Sequence, residues 1–170
     1  MCLVVNTSAA WVRYLAREYD EAIDRCRYTL DLSPQFAPAR RVIAASLLQL
    51  GRLDAAVLEL EAVSQATADP VTRAWLAHLL GAQGAAERAG KIVSRLEQDA
   101  ASSYVSRYHL ALAQVGLGDT SAALESLRAA WAARDPAFIG MALEPRFEPL
   151  RCHPRYRALV RRLGVHNGRH

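Results

Sequence analysis

The sequence has little of several residue types, and each shortage narrows the class of protein. Aromatic residues make up only 7% of the 170 residues, and strand-forming residues never cluster in alternating runs, so an all-α fold is expected. The three cysteines, Cys2, Cys26 and Cys152, are odd in number and widely spaced, with no C-x-x-C pair. They indicate free thiols in a reducing compartment, and we expect a cytoplasmic protein.

Lysine is almost absent, since Lys91 is the only lysine among 21 basic residues. The net charge of +4 and the isoelectric point near 9.2 would suit nucleic-acid binding, but the basic residues are spread over most of the chain. An arginine excess of this kind fits coding bias better than selection for phosphate contacts, so we expect no nucleic-acid partner. The apolar run near the start is too short to span a bilayer, and no membrane partner is expected.

Catalytic and metal-binding motifs are lacking as well. The five histidines form no H-E-x-x-H motif and no metal-type spacing with a cysteine. The stretch GLGDTSAA at residues 116–123 has no lysine and follows a helical pattern rather than a strand, so it is no nucleotide loop. We therefore expect a chain that is not an enzyme and that holds no metal and no cofactor.

What the sequence does have is a repeat. Alanines recur at intervals of 34, 33 and 34 residues, at Ala22, Ala56, Ala89 and Ala123. Five positions before each alanine lies a glycine, or an arginine in the first copy: Arg17, Gly51, Gly84 and Gly118. Self-similarity at such an interval is typical of stacked helical units, each too small to bury its apolar face alone.

Each copy is predicted to be an antiparallel pair of helices. The glycine supplies the positive φ that ends the first helix, and the small alanine lets the second helix approach the first closely. Aspartate followed by proline, at Asp69 and Asp135, predicts two helix starts. The predicted helices cover residues 3–16, 19–32, 37–50, 53–66, 70–82, 85–99, 102–116 and 119–134.

The motif YDEAI at Tyr19–Ile23, the 34-residue spacing and Pro34 after the first copy together resemble the tetratricopeptide repeat. The resemblance covers residues 3–136 and implies a right-handed α-solenoid of antiparallel helix pairs, the TPR superhelix. Four repeats are expected within residues 1–136, at about 3–35, 36–69, 70–102 and 103–136.

After the repeats the pattern changes. Residues 137–164 are expected to form a capping segment and a C-terminal helix that starts at Pro154, while residues 165–170 are expected to be a flexible tail. A short helix is predicted from Pro136 to about Leu143, and Pro145 and Pro149 exclude a long one beyond it. The segment LEPRFEPLRCHPRYRALVRRLGV is similar to the ends of bacterial multidomain signalling proteins, which combine such arrays with winged-helix, cyclase or Ser/Thr kinase domains.

The first helix of each pair should line a concave groove, where such repeats hold a peptide or a partner helix. The groove candidates are Trp11, Tyr14, Arg41, Gln49, His78 and Tyr108. For Trp11 and Tyr14, packing between repeats is the alternative. The sequence thus predicts a non-catalytic protein-protein interaction module in a bacterial signalling or transcription-regulatory system. The alternatives are a small-molecule-sensing domain of a transcription regulator, or a module that forms a homo-oligomer through its N-terminal helix.

Overall fold

The computed structural model describes residues 2–64 and 69–164, and these contain helices but no strand. Eight α-helices follow one another as antiparallel neighbours, and a ninth closes the described chain. Their bounds are α1 Leu3–Leu15, α2 Tyr19–Leu32, α3 Ala37–Gln49, α4 Leu53–Ser64, α5 Pro70–Ala82, α6 Ala86–Asp99, α7 Arg107–Gly116, α8 Thr120–Ala132 and α9 Pro154–Arg162. The all-α solenoid of antiparallel helix pairs predicted from the repeat is confirmed.

The turns within the helix pairs follow the predicted glycines. Gly51, Gly84 and Gly118 have φ of +74°, +84° and +76°, and Arg17 takes the same left-handed conformation at +67°. At the second turn the amide of Gly51 donates to the Leu48 carbonyl, and the next amide donates to the carbonyl of Leu47. These two bonds form a Schellman motif, which ends the first helix and reverses the chain.

The register of the repeat is confirmed by burial. The four alanines that define it are fully buried between the helices of their pairs: Ala22, Ala56, Ala89 and Ala123. The core that surrounds them runs from α1 to the start of α6 without a break, and two further clusters extend it through α7 to α9.

The first helices of the last two pairs, α5 and α7, approach so closely that their backbones touch. A Cβ atom on Gly81 would lie 2.3 Å from the carbonyl oxygen of Gly116, and one on Gly116 would lie 2.5 Å from the Cα of His78. Glycine is required at both positions because any side chain would meet main-chain atoms, which cannot rotate away.

The helix starts predicted at the two aspartate caps are confirmed, whereas one other predicted start is wrong. Asp69 accepts hydrogen bonds from the amides of Val71 and Thr72, and Asp135 caps the turn that follows it. The helix expected from residue 102 begins only at Arg107, because Ser106 caps it and residues 101–106 form a turn and an extended stretch. The end expected at residue 66 lies outside the described residues, as does the tail at 165–170.

The segment after α8 consists of two 3-10 helices joined by short turns, followed by α9. The helix expected from Pro136 to about Leu143 is instead a 3-10 helix at Pro136–Gly140, and a second 3-10 helix follows at Pro145–Leu150. The segment packs on α7 and α8 through Phe138, Met141, Phe147, Leu150, Tyr156 and Leu159. Its middle part, around Glu144, also contacts the first helix of the first pair through Tyr14. The segment therefore lies in the concave groove as well as beside α8.

Candidate functional site

A cavity of about 590 Å³ lies on the concave side of the solenoid, between the first helices of the pairs and the 3-10 helix Pro136–Gly140. Its wall is mostly apolar and aromatic, and includes Trp11, Phe36, Val71, Trp75, His109 and Ile139. This volume falls within the range of about 300–1,000 Å³ that is usual for small-molecule sites.

A row of neighbouring aromatic rings forms one side of the cavity. The ring centroids of Trp11 and Trp75 are 5.8 Å apart, and that of His109 lies 6.3 Å beyond Trp75. On its other side Trp11 stacks on Tyr14 with centroids 4.8 Å apart. The half-buried Trp11 is thus held in place by its neighbours and still presents a face to the cavity, a combination that suits an apolar or aromatic group.

The charge at the cavity wall is compensated. A guanidinium nitrogen of Arg41 lies 2.5 Å from a carboxylate oxygen of Asp69 and 3.0 Å from the hydroxyl of Thr72. Burial lowers the pKa of Arg41, and the Asp69 carboxylate opposes this effect. For Asp69, burial would raise the pKa, but hydrogen bonds from Thr72 and the charge of Arg41 together lower it. Both groups are therefore ionised at neutral pH, as a pair.

His109 is uncharged at neutral pH. Burial, followed by the nearby Arg146 guanidinium, lowers the pKa of His109 from 6.5 to about 4. Its Nδ1 atom lies 2.9 Å from the Ser106 hydroxyl, which holds the ring against the cavity. With His109 neutral and Arg41 paired, nothing in this part of the wall attracts a strongly charged ligand.

Several buried polar atoms at the cavity have no hydrogen-bond partner among the residues that the structure describes. They are the Thr7 hydroxyl, the Trp75 indole nitrogen and the Tyr108 hydroxyl, and all three residues belong to the cavity wall. Buried polar groups normally have a hydrogen-bond partner, since a buried donor or acceptor without one costs about 1–3 kcal/mol. Each of the three atoms has almost no exposed surface, so none of them is available to a ligand in the cavity.

A second part of the groove is filled by the chain itself. We name residues 141–150 the groove segment; within it, the Glu144 side chain is fully buried and that of Arg146 is 2% exposed. The two Glu144 oxygens accept hydrogen bonds of 2.9 Å from Nε and Nη2 of Arg146. The Tyr14 hydroxyl on α1 donates to Glu144 at 2.7 Å, and the Arg146 guanidinium lies 3.6 Å from the centre of the Trp75 ring on α5.

These contacts keep the pair ionised despite its burial. Burial alone would raise the pKa of Glu144, but the Arg146 guanidinium and the hydrogen bonds from Arg146 and Tyr14 lower it. Burial would likewise lower the pKa of Arg146, and the Glu144 carboxylate more than offsets that effect. A buried ion pair of this kind requires good geometry and further hydrogen bonds, and here the Tyr14 hydroxyl supplies one of them.

The structure places the predicted groove residues in three different settings. Trp11, Arg41 and Tyr108 line the cavity. Tyr14 and His78 are buried, Tyr14 against Glu144 and His78 with its Nδ1 atom 2.8 Å from the Leu112 carbonyl oxygen. Gln49 is half-buried at the end of α3 and lies outside the cavity wall. The assignment of these residues to partner binding stays a prediction.

Sequence reasoning missed four residues that shape the groove. His109 follows the predicted groove residue Tyr108, and Trp75 lies three positions before His78, so only the helical register separated them from the candidates. Glu144 and Arg146 stand in a proline-rich stretch, where charged residues usually face solvent. The expected capping role of that stretch and its similarity to the ends of signalling proteins indicated more than a linker, but neither indicated that these two charged residues are buried.

Within the described residues, no group of three or more histidine, cysteine or acidic side chains is placed to hold a metal ion. None of the helices in residues 2–64 and 69–164 combines the length and apolar character that crossing a membrane requires. The three cysteines are free thiols; Cys26 is buried, and burial raises its pKa to about 12.

Comparison with known proteins agrees with this architecture. The sequence profile of the tetratricopeptide repeat matches residues 14–71, from the end of α1 to the start of α5. Two crystal structures of a putative kinesin light chain from Podosopora anserina, described as having nearly identical TPR-like repeats, have TM-scores of 0.55 and 0.54. Each is 16% identical in sequence and covers 95% of this chain, and the match spans 92% and 93% of the two solved chains.

No curated protein matches the sequence. At 16% identity the two crystal structures bear on the fold alone. The chain therefore carries a tetratricopeptide-repeat match over residues 14–71 and has, over 95% of its length, the fold of TPR-like helical repeats.

Proposed function

We propose that this chain is a non-catalytic interaction module that binds a segment of a partner protein at the cavity on its concave side. Tetratricopeptide repeats generally mediate protein-protein interaction, and the repeat match and fold support that role here. The similarity of the C-terminal segment to bacterial signalling proteins favours a cytoplasmic signalling or transcription-regulatory system as its setting.

The observation that carries the proposal is the aromatic cavity with an apolar rim. Val4 on α1 and Ile139 on the 3-10 helix are 61% and 77% exposed, and both border the cavity. Large apolar side chains this exposed around an aromatic pocket are typical of binding surfaces, and Trp11 and Arg41 are residue types that often dominate binding energy. Since the Arg41 charge is paired, we expect an apolar or aromatic anchor from the partner.

A random peptide library displayed on phage tests the proposal without knowledge of the natural partner. Peptides selected on the wild-type protein should share an aromatic or large aliphatic residue. Their affinity, measured by calorimetry, should fall at least about tenfold for Trp11→Ala, a loss of about 1.4 kcal/mol. Leu58→Ala is the matched control because Leu58 is 65% exposed and lies outside the cavity wall. Equal binding to both variants would contradict the proposed site.

Small-molecule sensing is a second candidate, favoured by the volume and the mostly apolar wall of the cavity. The uncharged dye Nile red is a suitable probe, since its fluorescence rises in apolar surroundings. We expect saturable binding to the wild-type protein that Trp11→Ala weakens. Native mass spectrometry of protein purified from its own host would show a co-purified mass under this second function, and peptide binding alone would favour the first.

The exposed apolar surface of α1 favours self-association as a third candidate function. Val5 and Val12, which lie seven residues apart on α1, are 67% and 64% exposed, so they present an apolar stripe. Light scattering after size exclusion should show a dimer that Val5→Asp disrupts. A monomer at all concentrations would remove this function from consideration.

A further inference from the structure

The groove segment lies on the concave face next to the cavity at which a partner segment is proposed to bind. In an open solenoid each repeat contacts only its neighbours, yet Glu144 accepts a hydrogen bond from Tyr14, which is 130 positions away. The segment therefore crosses the concave face from α7 to α1. It lies beside the cavity rather than in it, because the cavity wall includes the 3-10 helix Pro136–Gly140 but neither Glu144 nor Arg146.

The groove receives the segment through specific polar and aromatic contacts. The Tyr14 hydroxyl donates a hydrogen bond of 2.7 Å to the Glu144 carboxylate, and the Arg146 guanidinium lies 3.6 Å from the centre of the Trp75 ring. The Tyr108 ring meets the Phe147 ring edge-on, with centroids 5.4 Å apart. Three groove residues from α1, α5 and α7 thus bind three residues of one short segment.

A segment that only covered an apolar surface would not need these charges. Replacing a buried ion pair by apolar side chains of similar size is often neutral or stabilising, because two charges must lose their hydration. Glu144 and Arg146 are buried and satisfied mostly by each other and by groove residues. Their arrangement is that of a recognised peptide, whose charged groups select one register on the surface that receives it.

We propose that the groove segment is an intramolecular ligand. It occupies the binding site of a partner protein segment that has the same chemistry. That chemistry is a carboxylate and a guanidinium two residues apart, followed at once by an aromatic side chain. The inference rests on the proposed function, since it takes the partner to be a peptide. It adds a second contact beside the cavity, which a partner can make only when the chain's own segment is displaced.

The segment is tethered on both sides, so displacement is a competition. On one side the hydroxyl of Ser106, the residue that caps α7, donates to Asp135 at 2.7 Å, and on the other α9 packs against α8 through Leu159. A tethered ligand has an effective concentration of the order of millimolar, and a free peptide must exceed it to compete. The wild-type protein should therefore bind a free copy of the segment only weakly.

The test supplies the segment as a separate peptide. A fluorescein-labelled peptide with the sequence of residues 141–151 is titrated into the full chain, with anisotropy as the readout. In the double variant Glu144→Gln, Arg146→Gln the internal segment loses its charges, while Tyr14 and Trp75 are intact. We expect this variant to bind the peptide at least about tenfold more tightly than the wild type does. A peptide with Gln in place of both charged residues is the matched control and should not bind.

Two further variants keep the test decisive. Adding Tyr14→Phe to the double variant removes one hydroxyl and should weaken peptide binding several-fold. If circular dichroism shows that the double variant is unfolded, Tyr14→Phe alone is used in the otherwise unchanged chain. Hydrogen exchange at residues 141–150 should then become at least about fivefold faster, with exchange in α3 and α4 unchanged.

Three outcomes would overturn the inference: equal binding of the peptide to wild type and double variant, no binding to a folded double variant, or unchanged exchange in Tyr14→Phe. Reversible dimerisation of the wild type that the labelled peptide inhibits would also overturn it, since the occupant would then be a second copy. Phage-selected peptides whose binding still depends on Trp11 would show that the proposed function stands even if this inference fails.

Discussion

Substitution of Gly116 by alanine tests the close approach of α5 and α7. A Cβ at this position would lie 2.5 Å from both the Cα and the carbonyl oxygen of His78, where 3.4–4 Å is ordinary contact. The two helices would have to separate by about 1 Å, and overpacking of this kind costs about 1–3 kcal/mol. The helix preference of alanine returns less than about 1 kcal/mol at a helix end. We expect a net loss of about 2 kcal/mol in the free energy of unfolding.

Urea denaturation followed by circular dichroism measures this loss, and a melt should show a fall of about 4–8 °C for a chain of this size. Gly90→Ala is the matched control. Gly90 lies inside α6, and a Cβ there would meet no atom within 4 Å. That variant should gain about 0.5–1 kcal/mol from helix propensity alone. If Gly116→Ala were as stable as the wild type, the backbone contact between α5 and α7 would not exist in solution.

Three further predictions concern stability. Ala56→Leu should lose about 1–3 kcal/mol in urea denaturation, because Ala56 is fully buried between α3 and α4; an unchanged midpoint would contradict the register. Arg17→Gly should gain about 0.5–1 kcal/mol, because Arg17 has a φ of +67° that glycine adopts without strain; a loss would show that the Arg17 side chain stabilises the turn. Burial lowers the pKa of His78 and His109 from 6.5 to about 4. Between these two pH values only the unfolded chain binds a proton at each histidine, so the free energy of unfolding should be highest above pH 6.5 and fall as the pH drops towards 4. Urea midpoints at pH 7 and pH 4.5 measure the fall, which is at most about 3 kcal/mol per histidine, and equal midpoints would refute it.

The repeat predicted the helices well because their signals are local. Gly51, Gly84 and Gly118 reverse the chain through their own φ angles, and Asp69 caps α5 with its own side chain. Such signals require no knowledge of distant residues, and seven of the eight predicted starts lie within one residue of the observed ones. The start of α7 was wrong because Ala101 to Ser103 continue a helical composition, while the observed cap is the later Ser106.

The groove could be predicted only in part, because its contacts are not local. Periodicity indicates which face of a helix is apolar, and it placed Trp11 and Arg41 on the cavity side. It carries no information on a contact such as that between Tyr14 and Glu144, which depends on the curvature of the whole array. The helical glycines Gly81 and Gly116 were an available sign of close backbone approach, since an isolated glycine inside a helix is costly without a packing reason.

The bond between Tyr14 and Glu144 has a consequence for biosynthesis. A ribosome makes about 5–20 residues per second, so some 6–26 seconds separate the synthesis of these two residues, which are 130 positions apart. Helix pairs near the N-terminus can fold during that interval, but the groove segment does not yet exist. The nascent array therefore spends seconds with its concave aromatic rings uncovered, and a competing segment that reaches them then meets no internal rival.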